Sequence, residues 1–156
     1  MITPTPPAKK GSNKSALKLK SPSRESEIPL PESIAILFSE ARREYFPTEA
    51  QFITEQDAEG DAGVIGGYLE RLGCGVTLLP GNADLPERLR QLAPHMVLNL
   101  VDSIKGSESL ASAIPGVLEL LGAVYTGAGI LGLSLDTNKF LVKKLLQNNG
   151  VPVPNF

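Results

Sequence analysis

The sequence has no tryptophan, a single cysteine and a single histidine, and aromatic residues make up 5% of its 156 positions. One cysteine, Cys74, excludes an internal disulfide, and no Cys/His group has the spacing of a zinc site. No apolar run approaches the roughly 18 residues of a membrane helix. The first thirty residues carry lysines but no apolar core segment, so the pattern of a secretory signal is missing as well. Neither a membrane nor an export route is therefore expected, and the cytoplasm is the expected location.

What is present divides unevenly. The formal net charge is −2. Through Glu27 the chain carries six basic residues (Lys9, Lys10, Lys14, Lys18, Lys20 and Arg24) against Glu25 and Glu27, a net of +4. The remaining nine basic and fifteen acidic residues leave the body at −6. Residues 1–32 are rich in Pro, Ser, Lys and Gly and cannot bury enough apolar surface to offset chain entropy, so a disordered basic leader is expected there. That leader has no aromatic residue on which a base could stack, and nucleic acid is not an expected partner.

From position 33 onward the chain reads as one α/β domain, 33–156. SIAILF (Ser33 to Phe38), GVTLLP (Gly75 to Pro80) and HMVLNL (His95 to Leu100) are short apolar runs of the buried-strand kind, and AVYT (Ala123 to Thr126) is a fourth candidate. Between the first two, apolar residues at helical spacing run from Glu59 to Leu72, weakened by glycines and closed by Gly73. Ser39 to Thr54 has no clear period. Asp84 and Glu87 have capping-box spacing ahead of a short helix to about Leu92. Ile114, Val117, Leu118 and Leu121 mark a helix over Pro115 to Leu121, and a last helix spans Thr137 to Asn149. Strands that are continuously apolar and alternate with helices predict a parallel sheet of about four strands covered on both faces. Ligands bind such sheets beyond the carboxyl ends of the strands, which directs attention to the loops after Phe38, Leu79, Leu100 and Thr126.

Three groups in those places carry chemistry. Asn99 to Ser109 gathers an amide, two carboxylates, a lysine and hydroxyls; Asp102 ranks first because it lies nearest the strand end and can accept from an ammonium or hydroxyl. Gly127-Ala-Gly129-Ile-Leu-Gly132 has the form GxGxxG. A dinucleotide site would need a further strand and an acid about 20 residues on, and no acid follows Asp136. The glycines read instead as a tight strand-to-helix turn whose backbone N–H groups could hold an anion. Lys139 and Lys143 stand one turn apart on the last helix beside Lys144, suited to neutralising phosphates or to an exposed basic face. His95 precedes its strand, at the end away from these loops, and reads as structural.

Leu118-Glu-Leu-Leu-Gly122, Tyr125-Thr-Gly127-Ala-Gly129, Asn138-Lys139 with Lys143, and Gly150-Val-Pro152-Val-Pro154 follow in order and at compact spacing. Together they resemble a run found in D-alanine–D-alanine ligases and their ATP-grasp relatives, from about Pro94 to Phe156. The resemblance implies a Rossmann-like pre-ATP-grasp domain, with the ATP-grasp lobes absent from these 156 residues. It implies ATP and Mg²⁺ as cofactors held mainly by those lobes. The implied chemistry phosphorylates a carboxylate and joins it to an amine. Lys139 takes the place of a phosphate-contacting lysine, with Lys143, Gly127 and Gly129 beside it on the cofactor side; Asn138 stands where the family carries aspartate. Glu55, the catalytic candidate, lies near the position of the family's amino-terminal substrate loop, whose pattern is otherwise missing. Asp102, Ser103 and Glu108 replace the loop that reads the first D-alanine, so another amino acid or a peptide is the implied substrate. A homodimer is implied by the same analogy.

Three readings follow. The first is the substrate-side domain of an ATP-dependent carboxylate–amine ligase, inactive by itself, with VPVPNF as a linker onward. The second is a stand-alone nucleotide- or amino-acid-binding module. The third is a dinucleotide oxidoreductase fragment.

Overall fold

A computed structural model describes residues 29–154. Residues 1–28 of the basic leader, with Asn155 and Phe156, lie outside the described residues, and the expectations placed on them stay with the sequence.

A three-stranded parallel sheet in the order β2-β1-β3 forms the centre: β1 (Ser33–Phe38), β2 (Gly75–Pro80) and β3 (Met96–Leu100). Ile36 of β1 pairs with Leu78 on one side and Leu98 on the other. Being central, β1 must be apolar on both faces, and Ile34 through Phe38 are all buried. Side chains alternate across a strand, so each sheet face collects its own core. One holds Ala35, Leu37, Leu79 and Val97 with Leu85, Leu89, Ile114 and Leu118. The other holds Ile34, Ile36 and Phe38 with Ala62 and Cys74. Burying a side chain such as Ile36 or Leu118 stabilises the fold by about 1.5–3 kcal/mol.

Helix α2 (Ala58–Arg71) covers the second face. Ala62 and Gly66, one turn apart, are its buried residues. A Cβ on Gly66 would stand 3.2 Å from Val76 Cγ1, so this helix interior tolerates glycine because the sheet passes close beneath it. The helix ends at Gly73, whose φ of +92° is open to glycine without strain. Helices α3 (Leu85–Leu92) and α4 (Ala113–Leu120) cover the first face through Leu85, Leu89, Ile114 and Leu118.

The sheet has three strands where four were expected. AVYT touches β3 at a single parallel bridge, Val97 with Tyr125. Val97 N–H donates to Val124 O at 2.8 Å and Thr126 N–H to Val97 O at 3.0 Å. At the next rung Asn99 N–H donates to the Thr126 hydroxyl, 3.2 Å away, and the chain turns at Gly127. A side chain thus takes the hydrogen bond that a longer strand would have needed.

Other elements also depart from expectation. The segment without a period forms a 3-10 turn at Arg43–Tyr45 and helix α1 (Glu49–Glu55), whose Thr48 hydroxyl accepts from Gln51 N–H. The capping box does not form: Asp84 makes no side-chain cap, its N–H donates to Asn82 Oδ1, and Glu87 pairs with Arg90 and Gln91. Two helices finish the chain, α5 (Ile130–Asp136) and α6 (Lys139–Asn148), the latter capped by Asn138, which accepts from Leu141 N–H at 3.0 Å.

Candidate functional site

Beyond the carboxyl end of β3 the chain is held by one buried hydroxyl. Ser39 follows directly on β1 and is 2% exposed. Its Oγ accepts the N–H groups of both Asp102 and Ser103 at 3.0 Å. Asn99 Oδ1 accepts from Val101 N–H at 3.2 Å. The loop after β3 is therefore fixed by side chains at the strand ends, and Ser103, 3% exposed, turns its own hydroxyl to Glu55 Oε2 at 3.3 Å.

That contact joins residues 48 positions apart, and Glu55 lines a cavity of about 190 Å³. Glu55 comes from the end of α1, Asp57 and Asp61 from the start of α2, and Asp102 from the loop after β3, with Thr54 and Leu100 between them. Four carboxylates around one small space, with Ser103 engaged to Glu55, suit a cationic group such as an ammonium. Among the described residues no group of three Asp, Glu, His or Cys side chains is arranged to hold a metal ion.

A second polar cluster sits at the carboxyl end of β1. Glu40 accepts hydrogen bonds from Arg42 at 2.9 Å, Tyr45 at 3.1 Å and Asn82 at 3.2 Å. Burial works to raise the Glu40 pKa, but the bonds from Arg42, Asn82 and Tyr45 outweigh it and hold the carboxyl below its ordinary range. The Tyr45 phenol is raised in turn, by desolvation first and by its bond to Glu40 second.

The sequence-named residues fall in separate places. Glu55, Ser103 and Asp102 come together. Glu108 lies exposed in a 3-10 turn, Glu108–Ser112, outside that cavity. Gly127 turns with a φ of +108°, and Gly129 precedes α5. A Cβ on Gly129 would stand 3.2 Å from Glu119 Oε1, so the glycine leaves room for that carboxylate, which accepts from Tyr125 OH at 2.9 Å and raises the phenol's pKa. Lys139 is exposed at the first turn of α6, and Lys143 lies one turn on. His95 lies at the amino end of β3, where its ring Nδ1 and its N–H both meet Ser33 Oγ at 3.1 Å.

Sequence reasoning did not single out Ser39, Asp57 or Asp61. Ser39 had a signal, a small hydroxyl directly after a buried strand. Asp57 and Asp61 had their spacing of four residues at a helix start, which places both on one face.

Comparison with known proteins adds a family likeness to this geometry. No family model matches the chain. It is 32% identical over 88 residues to a D-alanine–D-alanine ligase of Moorella thermoacetica, covering 56% of this chain and 28% of that protein. It is 37% identical over 86 residues to the ligase of a Caulobacter species, covering 55% and 26%. A third, from Zymomonas mobilis, is 31% identical over 90 residues, covering 58% and 27%. The chain thus spans little more than a quarter of the length of these relatives. The resemblance to D-alanine–D-alanine ligases carried by the ordered motifs is present in sequence identity too.

Proposed function

We propose that this chain is the substrate-side domain of an ATP-dependent carboxylate–amine ligase of the D-alanine–D-alanine ligase type. The observation that carries the reading is the acidic cavity beyond β3, where Glu55 and Asp102 share one wall system. An amino acid or peptide entering there presents its ammonium to carboxylates from α1, α2 and the loop after β3. Ser103 holds Glu55 in place, and Ser39 holds the loop. The ordered motifs and the identity to named ligases supply the reaction class.

Lys139, exposed on the first turn of α6, is the proposed contact to the ATP phosphates, with Lys143 on the same helix face. Bound ATP supplies the phosphoryl group that activates a carboxylate. In this reading ATP and Mg²⁺ are held mainly by ATP-grasp lobes. Leu141, Leu145 and Leu146 on α6 are 43%, 43% and 38% exposed, apolar surface that a further lobe closing over the nucleotide would cover in this reading. A cytoplasmic homodimer is part of the same reading. No helix among the described residues is long and apolar enough to cross a membrane.

The test is a calorimetric titration with D-alanine, L-alanine, alanyl dipeptides and their N-acetyl forms. Free amines are expected to bind, N-acetyl forms are not, and Glu55→Gln is expected to weaken binding about tenfold. Equal binding of acetylated and free forms would remove the ammonium reading. In a longer product bearing ATP-grasp lobes, Lys139→Met should abolish ATP-dependent phosphate release. Release by the 156-residue chain alone would overturn the assignment of this chain as an incomplete ligase.

A further inference from the structure

On the sheet face opposite the acidic cavity, a second space of about 330 Å³ opens between the first turn of α3, the body of α4 and the turn at 104–107. Leu85, Ile104, Leu110, Ile114 and Val117 form its apolar walls. Leu110 is 50% exposed there, a large apolar side chain left facing solvent. Its size lies at the lower end of small-molecule sites, which are mostly apolar with a few placed polar groups.

Two polar side chains reach this space. Asn82 is already engaged, donating to Glu40 and accepting from Asp84 N–H. Lys105 has no hydrogen-bond or ion-pair partner among the described residues. Its backbone is fixed: Ile104 and Ser107 exchange hydrogen bonds of 3.1 and 3.0 Å around a two-residue turn. Lys105 and Gly106 have φ of +51° and +73°, the left-handed pair such a turn requires. Gly106 backs directly on the Tyr45 carbonyl oxygen, where a Cβ would collide, so the turn cannot retreat from the cavity. A rigid turn therefore presents one unpaired ammonium at the mouth of an apolar space. A single ammonium beside apolar walls suits a carboxylate carried on an apolar body, the two meeting in a charge-assisted hydrogen bond.

We propose that this cavity binds a small monocarboxylate with an apolar body, of the size of octanoate. The body lies among Leu85, Ile114 and Val117, and the carboxylate meets Lys105 Nζ. This site is separate from the acidic cavity and does not rest on the ligase reading.

The test is a heteronuclear NMR titration of the whole chain with octanoate, with 1-octanol (the body without the charge) and with acetate (the charge without the body). Octanoate should shift the resonances of Ile104, Leu110 and Val117 and bind about three- to fivefold more tightly than octanol. Acetate should shift none of them. Lys105→Gln should lower octanoate affinity to that of octanol and leave octanol unchanged, and Lys105→Arg should restore it; the same spectra report that each variant is folded. Four results would each overturn the proposal. They are no binding of octanoate up to its solubility, shifts confined to other surfaces, equal affinities for octanoate and octanol, and a Lys105→Gln variant that binds octanoate as before.

Discussion

The Ser39 hydroxyl oxygen accepts the backbone N–H of Asp102 at 3.0 Å, and by this contact the end of β1 sets where the loop after β3 begins. The same oxygen accepts Ser103 N–H, so two donors at the rim of the acidic cavity depend on one buried atom. Ser39→Ala leaves both donors without this acceptor, the one on Ser103 at a buried position and the one on Asp102 at a partly buried one. We expect a loss of about 1–3 kcal/mol in urea unfolding and weaker binding of amino acids at the cavity. An unchanged unfolding midpoint would show that the loop is held by other means.

The turn at 104–107 gives two adjacent substitutions with opposite signs. Gly106→Ala introduces a Cβ against the Tyr45 carbonyl oxygen at a φ of +73° and should cost about 2–4 kcal/mol. Lys105→Asn keeps a left-handed residue but with a side chain that tolerates it, and should gain about 0.5–1 kcal/mol. Thermal unfolding of the pair checks both, and a stabilised Gly106→Ala would mean the turn has a different form.

Acid should weaken the protein through Glu40. Its folded-state pKa is held below the ordinary 4.5, because three hydrogen bonds outweigh the opposing effect of burial. The folded state therefore binds the proton less readily than the unfolded chain. The resulting stability is fully present above the unfolded pKa and disappears as pH falls through the lower, folded one. The gap in urea midpoint between the wild-type protein and Glu40→Gln should be widest near neutrality and should close at low pH. A gap independent of pH would exclude the carboxylate as its source.

Asn138 stands where the resemblance to the ligases implies an aspartate, and in the structure it caps α6 through Leu141 N–H. Asn138→Ala should reduce protection of the α6 amides by about 0.5–2 kcal/mol in hydrogen exchange, while Asn138→Asp should keep it. Equal protection in all three proteins would show that α6 is held by its packing on α5 alone.

The three strands and helices α2, α3, α4 and α6 were legible because each is written locally. Apolar runs such as SIAILF and GVTLLP, and stops such as Gly73, need only their neighbours to be read. Of α5 only the start was legible, in the strand-to-helix turn at Gly127 to Gly129, and helix α1, seven residues without a period, was not. Nor was the shortening of AVYT, which depends on the Thr126 hydroxyl meeting Asn99 N–H across 27 positions.

Of the acidic cavity, the sequence by itself singled out Glu55 and Asp102, one from family position and one from its place at a strand end. That Asp57 and Asp61 join them, and that Ser39 and Ser103 hold the arrangement, was decided only in three dimensions. The parallel register β2-β1-β3 brings the carboxyl ends of β1 and β3 side by side, and α2 then lays its first turn beside them. Local free energies select elements within a few residues. Which side chains face one another across a cleft follows from closing the sheet and burying both its faces, a condition set by the whole chain at once.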